Sequence, residues 1–128
     1  MNTIEVLTKA RDLISNKDNW CVDMLYKMEQ GKPIQHCVMG AINMAVSGQA
    51  CHGFTSESSH PIKVLNEVCT RLFGDDPVVK GYIGDKSVVV NNKLGHDFII
   101  LALDTAIGDY PDHAPKEETC ERRLANRV

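Results

Sequence analysis

Apolar residues recur at helical spacing near the start of the chain. Four of them lie three or four positions apart: Ile4, Leu7, Ala10 and Ile14. This spacing predicts an amphipathic helix over about residues 4–16, and the hydroxyl of Thr3 is placed to cap its first turn. A polar run at 15–19 separates this helix from Trp20, whose indole we expect to plug the core.

The apolar pattern between residues 22 and 46 is less regular. Over 22–28, alternation and helical spacing fit comparably, and we interpret this segment as a short helix. The Gln-Gly-Lys-Pro sequence at 30–33 predicts a turn. A longer helix is predicted over 36–46, with an apolar face formed by Cys37, Ala41, Ile42 and Ala45.

Gly40 lies in the interior of that second helix. A glycine in such a position costs about 1 kcal/mol relative to alanine. Its presence therefore indicates that a backbone, a large side chain or a ligand approaches the helix closely. Trp20 is the side chain that we expect to fill this notch.

The next long helix follows a polar stretch at 47–60, which we interpret as a loop. The helix should begin at a cap formed by Ser59 or His60, with Pro61 at its first position, and should end at Gly74. Its expected buried face consists of Val64, Leu65, Val68, Leu72 and Phe73.

The most apolar segment begins at His96 and predicts a central helix through Ile107, with Asp97 near its positively polarised end. Its expected core residues are Phe98, Ile99, Ala102, Leu103, Ala106 and Ile107. Before this helix, residues 82–90 contain three consecutive valines, which favour extended structure. Residues 91–95 predict a turn.

These segments together predict a mainly α, compact single domain of four to five helices over residues 1–108, with a short extended segment or hairpin near 82–90. We expect residues 109–128 to form a peripheral polar tail. A length of 128 residues fits one domain, and 43% hydrophobic with 24% charged residues is typical of a soluble globular protein.

Charge and cysteine content exclude several classes of protein. The net charge of −3 provides no broad positive surface, so general nucleic-acid binding is not expected. The apolar run at 98–103 is far shorter than the roughly 20 residues that cross a bilayer, so no membrane span is expected. The first residues lack the pattern of an export signal. Five cysteines without CxxC spacing favour reduced thiols and a cytoplasmic location.

Cys37 carries the clearest candidate chemistry. His36 precedes it, and a position in the first turn of a helix would favour the thiolate. With His96 as base and Asn91 as the residue that orients the imidazole, a thiol-dependent hydrolase or transferase is one hypothesis. A cysteine on the small-residue face of a helix is more commonly a buried hydrophobic residue. We therefore favour a protein that is not an enzyme.

Two dipeptides, His36-Cys37 and Cys51-His52, are the residues to consider for a metal site. Adjacent side chains rarely reach one tetrahedral ion together, and this spacing matches no common zinc motif. The sequence also lacks a glycine-rich phosphate loop followed by Lys and Ser or Thr. We therefore expect neither a metal nor a cofactor.

Several short motifs occur together along the chain. In order they are Trp20-Cys21, Gly31, the Cys-x-x-Gly-Ala segment from Cys37 to Ala41, Asn91-Asn92, His96-Asp97 and an apolar helix that ends near Ile107. This set resembles a family of small bacterial and phage proteins catalogued only as a domain of unknown function, in which Asp tends to stand at the position of Asn92. The resemblance implies a compact, mainly helical fold, is compatible with a phage origin and a host-cytoplasmic location, and implies no activity.

The resemblance also implies that the motif residues share one location, where a cleft lined by Trp20, thiols and one imidazole fits either a ligand pocket or an internal polar core. Its expected lining is Trp20, Cys21, His36, Cys37, Gly40, Phe54, Asn91, Asn92 and His96. Our leading hypothesis is a phage-type accessory protein that acts as a non-enzymatic binding module. It would sequester a small polar or nucleotide-like ligand or block a host protein. A structural role in a homo-oligomeric assembly is a further alternative.

Overall fold

Helices dominate the computed structural model, which describes residues 2–49 and 56–109. In chain order the elements are α1 (Thr3–Ile14), β1 (Tyr26–Glu29), β2 (Lys32–His36), α2 (Val38–Ser47), α3 (Ser56–Phe73), α4 (Pro77–Gly81), α5 (Lys86–Val89) and α6 (His96–Asp109). A 3-10 turn at Lys17–Asn19 follows α1, and a π-helical turn at Val90–Leu94 joins α5 to α6. The mainly helical fold predicted from the sequence is confirmed. Phe54, Cys51, His52 and the predicted tail from residue 110 onward lie outside the described residues.

The core lies between four helices. α1 packs along α2 and against α6, and α3 packs against α6 and α2. The largest fully buried side chains include Leu7, Ile14, Ile42, Leu65, Ile99 and Leu103. Burying one such side chain contributes about 1.5–3 kcal/mol, so this cluster provides much of the free energy that holds the helices together.

α1 begins one residue earlier than predicted. The cap is the side chain of Asn2, whose Oδ1 accepts a hydrogen bond of 2.9 Å from the backbone N–H of Glu5. Thr3 is the first helical residue, so the prediction that its hydroxyl caps the helix is wrong. The amide oxygen of Asn2 caps the first turn from one position earlier, and asparagine is as good an N-cap as threonine or better.

The segment from residue 22 to residue 36 differs most from the sequence-based prediction. Residues expected to form a short helix instead enter β1, which pairs antiparallel with β2. The connecting residues Gln30 and Gly31 both have positive φ angles, of 52° and 75°. Two consecutive positive φ angles favour a two-residue hairpin turn, because they match the twist of the flanking strands. The predicted helix at 22–28 is therefore wrong: residues 22–25 form bends, and the strand begins at Tyr26.

The extended segment expected near residues 82–90 is helical from Lys86 onward. Residues 82–85 connect α4 to α5 without regular secondary structure, and the rest form α5 and the start of the π-helical turn. Val89 and Val90 are buried against the core, and this tertiary packing overrides the weak preference of a valine run for a strand.

α3 begins at Ser56, so Pro61 lies inside the helix and not at its first position as predicted. Pro61 has no backbone N–H to donate to the preceding turn, and its ring is buried, so apolar packing offsets the missing hydrogen bond. The end of the helix at Phe73, before Gly74, agrees with the prediction.

α6 runs from His96 as predicted and buries one face in the core. Phe98, expected to be buried, is 45% exposed, because a rotation of about 100° per residue turns it away from the core side of Ile99. Its ring contacts that of Phe73 edge to face, with centroids 5.5 Å apart. Leu72, also expected to be buried, is exposed as well. No helix among the described residues is long and apolar enough to cross a membrane.

Candidate functional site

The buried side-chain amide of Asn91 joins three segments of the chain. Its Oδ1 accepts from the indole N–H of Trp20 at 2.7 Å and from the backbone N–H of Val38 at 3.0 Å. Its Nδ2 donates to the carbonyl of Cys21 at 3.2 Å and to Oδ1 of Asn92 at 2.8 Å. The amide therefore fixes the start of α2 and the segment before β1 relative to the π-helical turn.

Trp20 and His96 are neighbours, with ring centroids 5.2 Å apart in an edge arrangement. The His96 Nε2 lies 2.6 Å from the carbonyl oxygen of Ile14. Because a carbonyl oxygen only accepts hydrogen bonds, Nε2 must carry a proton and act as the donor in this contact. His96 thereby ties the start of α6 to the end of α1.

Cys37 is the N-cap of α2. Its Sγ accepts from the backbone N–H of Gly40 at 3.4 Å, and its own N–H donates to the carbonyl of Leu25 at 3.1 Å. Burial raises the pKa of the Cys37 thiol, and burial together with the nearby Cys37 raises the pKa of Cys21 to about 11. Both groups are therefore thiols at neutral pH.

The notch at Gly40 is filled by a backbone and not by Trp20. A Cβ atom built on Gly40 would overlap the carbonyl group of Leu25. The prediction that the indole fills this space is therefore wrong. The carbonyl approaches closely because the chain before β1 crosses over α2, where Leu25 accepts from the N–H of Cys37.

A solvent-open cavity of about 340 Å³ lies beside this network. It is lined by Asp23, Met24, Leu25, Cys37, Val38, Met39, Val88, Asn91 and Asn92. These residues come from the segment before β1, the first turn of α2, α5 and the π-helical turn. The cavity volume falls at the lower end of the range of about 300–1,000 Å³ that is common for small-molecule sites.

Asp23 has an unusual backbone conformation at the edge of this cavity. Its φ angle is +63°, which few residues other than glycine, asparagine and aspartate adopt. Its N–H donates to Oδ1 of Asn92 at 3.0 Å, so the conformation is held by a side chain of the π-helical turn. Strained residues of this kind are concentrated at binding sites.

The structure separates the predicted site residues into two groups. Cys37, Asn91 and Asn92 line the cavity. Trp20, Cys21, Gly40 and His96 are not among its lining residues but belong to the hydrogen-bonded and packed surroundings described above. His36 is buried beside Trp20, and a β-bridge joins their backbones; within the described part of the chain, the His36 Nδ1 has no hydrogen-bond partner. Phe54 lies outside the described residues.

Sequence reasoning missed the other lining residues. The sequence-based prediction placed Asp23, Met24 and Leu25 in a helix and Val88 in an extended segment. It placed none of these four residues near α2. The first three residues carry no clear sequence signal, because they lie in bends before β1 and not in a helix or a strand.

The contacts of Asn91 bear on the hypothesis of a thiol enzyme. Asn91 uses its oxygen and its nitrogen for Trp20, Cys21, Val38 and Asn92, and no contact with His96 is among these bonds of the described residues. The hydrogen bond of His96 goes to the Ile14 carbonyl. Within the described ranges, no group of three or more His, Cys, Asp or Glu residues is arranged to hold a metal ion.

A second cavity, of about 410 Å³, lies between α1 and the end of α2. It is lined by Lys9, Asp12, Leu13, Met44, Ala45 and Gly48. None of the predicted site residues lines this second cavity, and none of its lining residues takes part in the hydrogen bonds around Asn91. We therefore regard the cavity beside Asn91 as the candidate functional site.

Over residues 1–114 the chain matches the family described as "Family of unknown function (DUF6197)", and it belongs to that family. No curated protein and no solved structure matches it. The resemblance to an uncharacterised family inferred from the Trp-Cys and Cys-x-x-Gly-Ala motifs is thereby confirmed. Because no activity is attached to the family description, the functional argument depends on the site itself.

Proposed function

We propose that this protein is a non-enzymatic binding module that holds a small ligand in the cavity beside Asn91. The observation that carries the proposal is a cavity of about 340 Å³ whose walls are fixed by hydrogen bonds and whose rim keeps polar groups available. Ligand sites typically combine an apolar lining with a few polar groups that orient the ligand.

The walls of the cavity are preorganised. Val38 is bonded to Asn91, and Asp23 is bonded to Asn92. Asn91 and Asn92 are in turn bonded to each other. A ligand therefore meets groups that are already in position, which lowers the entropic cost of binding.

The thiols of the site support binding over catalysis. A thiolate is the nucleophilic form of cysteine, and burial raises the pKa of Cys37 and so disfavours that form at neutral pH. The capping bond from the Gly40 N–H gives Cys37 a structural role. A thiol-dependent enzyme is therefore the weaker alternative.

Cys21, Cys37 and Cys69 are free thiols, which supports our proposal of a reducing, cytoplasmic location. A phage origin and action on a host protein stay predictions.

The test is a fragment screen by two-dimensional NMR of the full chain. We expect some fragments to shift the backbone amide signals of Val38, Val88 and Asn92 in a saturable way. The variant Val88→Trp should abolish these shifts, because the indole fills the cavity. The control Val78→Trp places the same side chain on an exposed position of α4 and should leave them unchanged. Absence of any saturable shift at the cavity across the library contradicts the proposal.

A further inference from the structure

The rim of the cavity, formed by Asp23 and Asn92, carries hydrogen-bonding groups. Oδ1 of Asn92 accepts from both the N–H of Asp23 and the Nδ2 of Asn91. With its oxygen occupied in this way, the Asn92 amide is fixed in orientation, and its NH₂ group is left to donate. Among the described residues, no protein atom accepts a hydrogen bond from that NH₂ group.

Asp23 lines the same cavity as this donor, and its backbone N–H is bonded to the Asn92 side chain. No hydrogen bond or ion pair to the Asp23 carboxylate exists within the described part of the chain. The carboxylate is exposed and offers two acceptor oxygens. The lining therefore includes one amide donor, on Asn92, and two acceptor oxygens, on Asp23.

The remaining lining is mostly apolar and includes two methionines on different segments. Met39 is buried in α2, and its sulfur accepts from the hydroxyl of Ser87 at 3.6 Å, which holds the side chain in place. Met24 is half exposed and belongs to the segment before β1. Methionine side chains make favourable contacts with aromatic rings and adapt to their shape.

Charge narrows the class of ligand further. Asp23 is the one charged residue among the nine that line the cavity, and it is negative. Phosphate recognition in proteins relies on Arg, Lys or a set of free backbone N–H groups. At the start of α2, the N–H groups of Val38 and Gly40 are already bonded to Asn91 and Cys37. A phosphate would therefore meet a carboxylate and no compensating cation in this cavity.

We propose that the ligand is an unphosphorylated planar heterocycle with a carbonyl acceptor followed by two N–H donors on one edge. This proposal rests on the proposed function. Guanine and pterins carry this edge. The carbonyl oxygen accepts from the Asn92 NH₂ group, and the ring N–H and the exocyclic amine donate to the two oxygens of Asp23. The faces of the ring contact the methionines and Val88. Adenine presents one such donor, and hypoxanthine lacks the exocyclic amine.

The experiment is calorimetric titration of the full chain with guanosine, inosine, adenosine and guanosine 5′-monophosphate. We expect guanosine to bind, and inosine and adenosine to bind at least tenfold more weakly because a donor to Asp23 is missing. Guanosine monophosphate should bind no more tightly than guanosine. Tighter binding of the monophosphate, or equal binding of inosine and guanosine, overturns the proposed class.

Three variants assign the effect to named atoms. Asp23→Asn replaces one acceptor oxygen by a donor and suits a positive φ angle, so guanosine affinity should fall at least tenfold. Asn92→Asp keeps the oxygen that accepts from Asp23 and Asn91 but removes the donor, and should have a similar effect. Asp75→Asn makes the same change of charge at an exposed position outside the cavity and should leave the affinity unchanged.

The two proposals fail in different ways. If fragments shift the cavity signals but guanosine does not bind, or if its affinity is unaffected by Asp23→Asn and Asn92→Asp, the ligand class is wrong and the binding module stands. If neither guanosine nor any fragment perturbs the cavity, both proposals are overturned.

Discussion

The indole N–H of Trp20 donates to the side-chain oxygen of Asn91 at 2.7 Å, across 71 positions of sequence. The same oxygen accepts from the N–H of Val38, at the start of α2. One amide therefore connects the segment after α1, the start of α2 and the π-helical turn. The cavity lies where these segments meet, so its shape depends on this amide.

Replacement of Asn91 by alanine should strongly destabilise the fold. The change leaves the indole N–H of Trp20, the N–H of Val38 and the carbonyl of Cys21 without this partner. An unsatisfied buried polar group costs about 1–3 kcal/mol, so we expect the free energy of unfolding to fall by about 3 kcal/mol or more. Urea denaturation followed by fluorescence of Trp20, the single tryptophan, measures it. Lys93→Ala, an exposed change in the same turn, should cost less than about 0.5 kcal/mol. A loss below 1 kcal/mol for Asn91→Ala would contradict a central role of its amide.

Gly40→Ala should also destabilise the protein, although alanine is the better helix former. The added Cβ overlaps the carbonyl of Leu25, and forcing a methyl group into such a position typically costs about 1–3 kcal/mol. This cost exceeds the gain of about 1 kcal/mol from helix propensity. Gly108→Ala in α6 is the matched control, because a Cβ there meets open space. We expect thermal denaturation to show a lower midpoint for Gly40→Ala and an unchanged or higher one for Gly108→Ala. Equal effects of the two changes would show that the close approach of Leu25 has no energetic weight.

Cys37 should be unreactive in the folded protein. Burial raises the pKa of its thiol, so an alkylating reagent at pH 7 should modify Cys37 more than tenfold more slowly than in the unfolded chain. Mass spectrometry of peptides after timed alkylation measures the rate. Cys37→Ser retains a side chain that caps α2, so its stability should change by less than about 1 kcal/mol. Rapid alkylation of folded Cys37 would revive the thiol-enzyme alternative.

His36 should make stability depend on pH on the acid side. Burial lowers the pKa of the His36 imidazole from its usual value of 6.5. As the pH falls below about 6.5, the unfolded chain takes up a proton at this residue before the folded chain does, which favours unfolding. The stabilisation is therefore present above pH 6.5 and is lost progressively below it. We expect urea midpoints at pH 7.5 and pH 5.5 to differ less in His36→Gln than in the natural sequence. An identical difference in both proteins would remove His36 as the cause.

The sequence predicted the helices better than it predicted the site. α6 was predictable because its apolar residues repeat over three turns from His96. The family resemblance implied that Trp20 and His96 share one location, which agrees with the 5.2 Å between the centroids of their rings.

Other features had no reliable sequence signal. The interior Gly40 indicated a close approach correctly, but its partner is the backbone of Leu25, and a backbone carbonyl carries no residue-specific signature. Asp23 was placed in a helix because two periodicities fit the same seven residues, and its positive φ depends on a hydrogen bond to distant Asn92. Tertiary contacts of this kind decide short segments that local preferences leave open.

The two adjacent asparagines of the π-helical turn differ in what a mutation at each can change. Every hydrogen-bonding atom of Asn91 is committed to the scaffold, whereas Asn92 has an NH₂ group directed at no protein acceptor among the described residues. An aspartate at position 92 would retain both hydrogen bonds that the side-chain oxygen accepts, and it would present a second acceptor oxygen in place of the NH₂ donor. A single substitution at position 92 therefore changes the hydrogen-bonding character of the cavity lining while the scaffold bonds of Asn91 to Trp20, Val38 and Cys21 are kept.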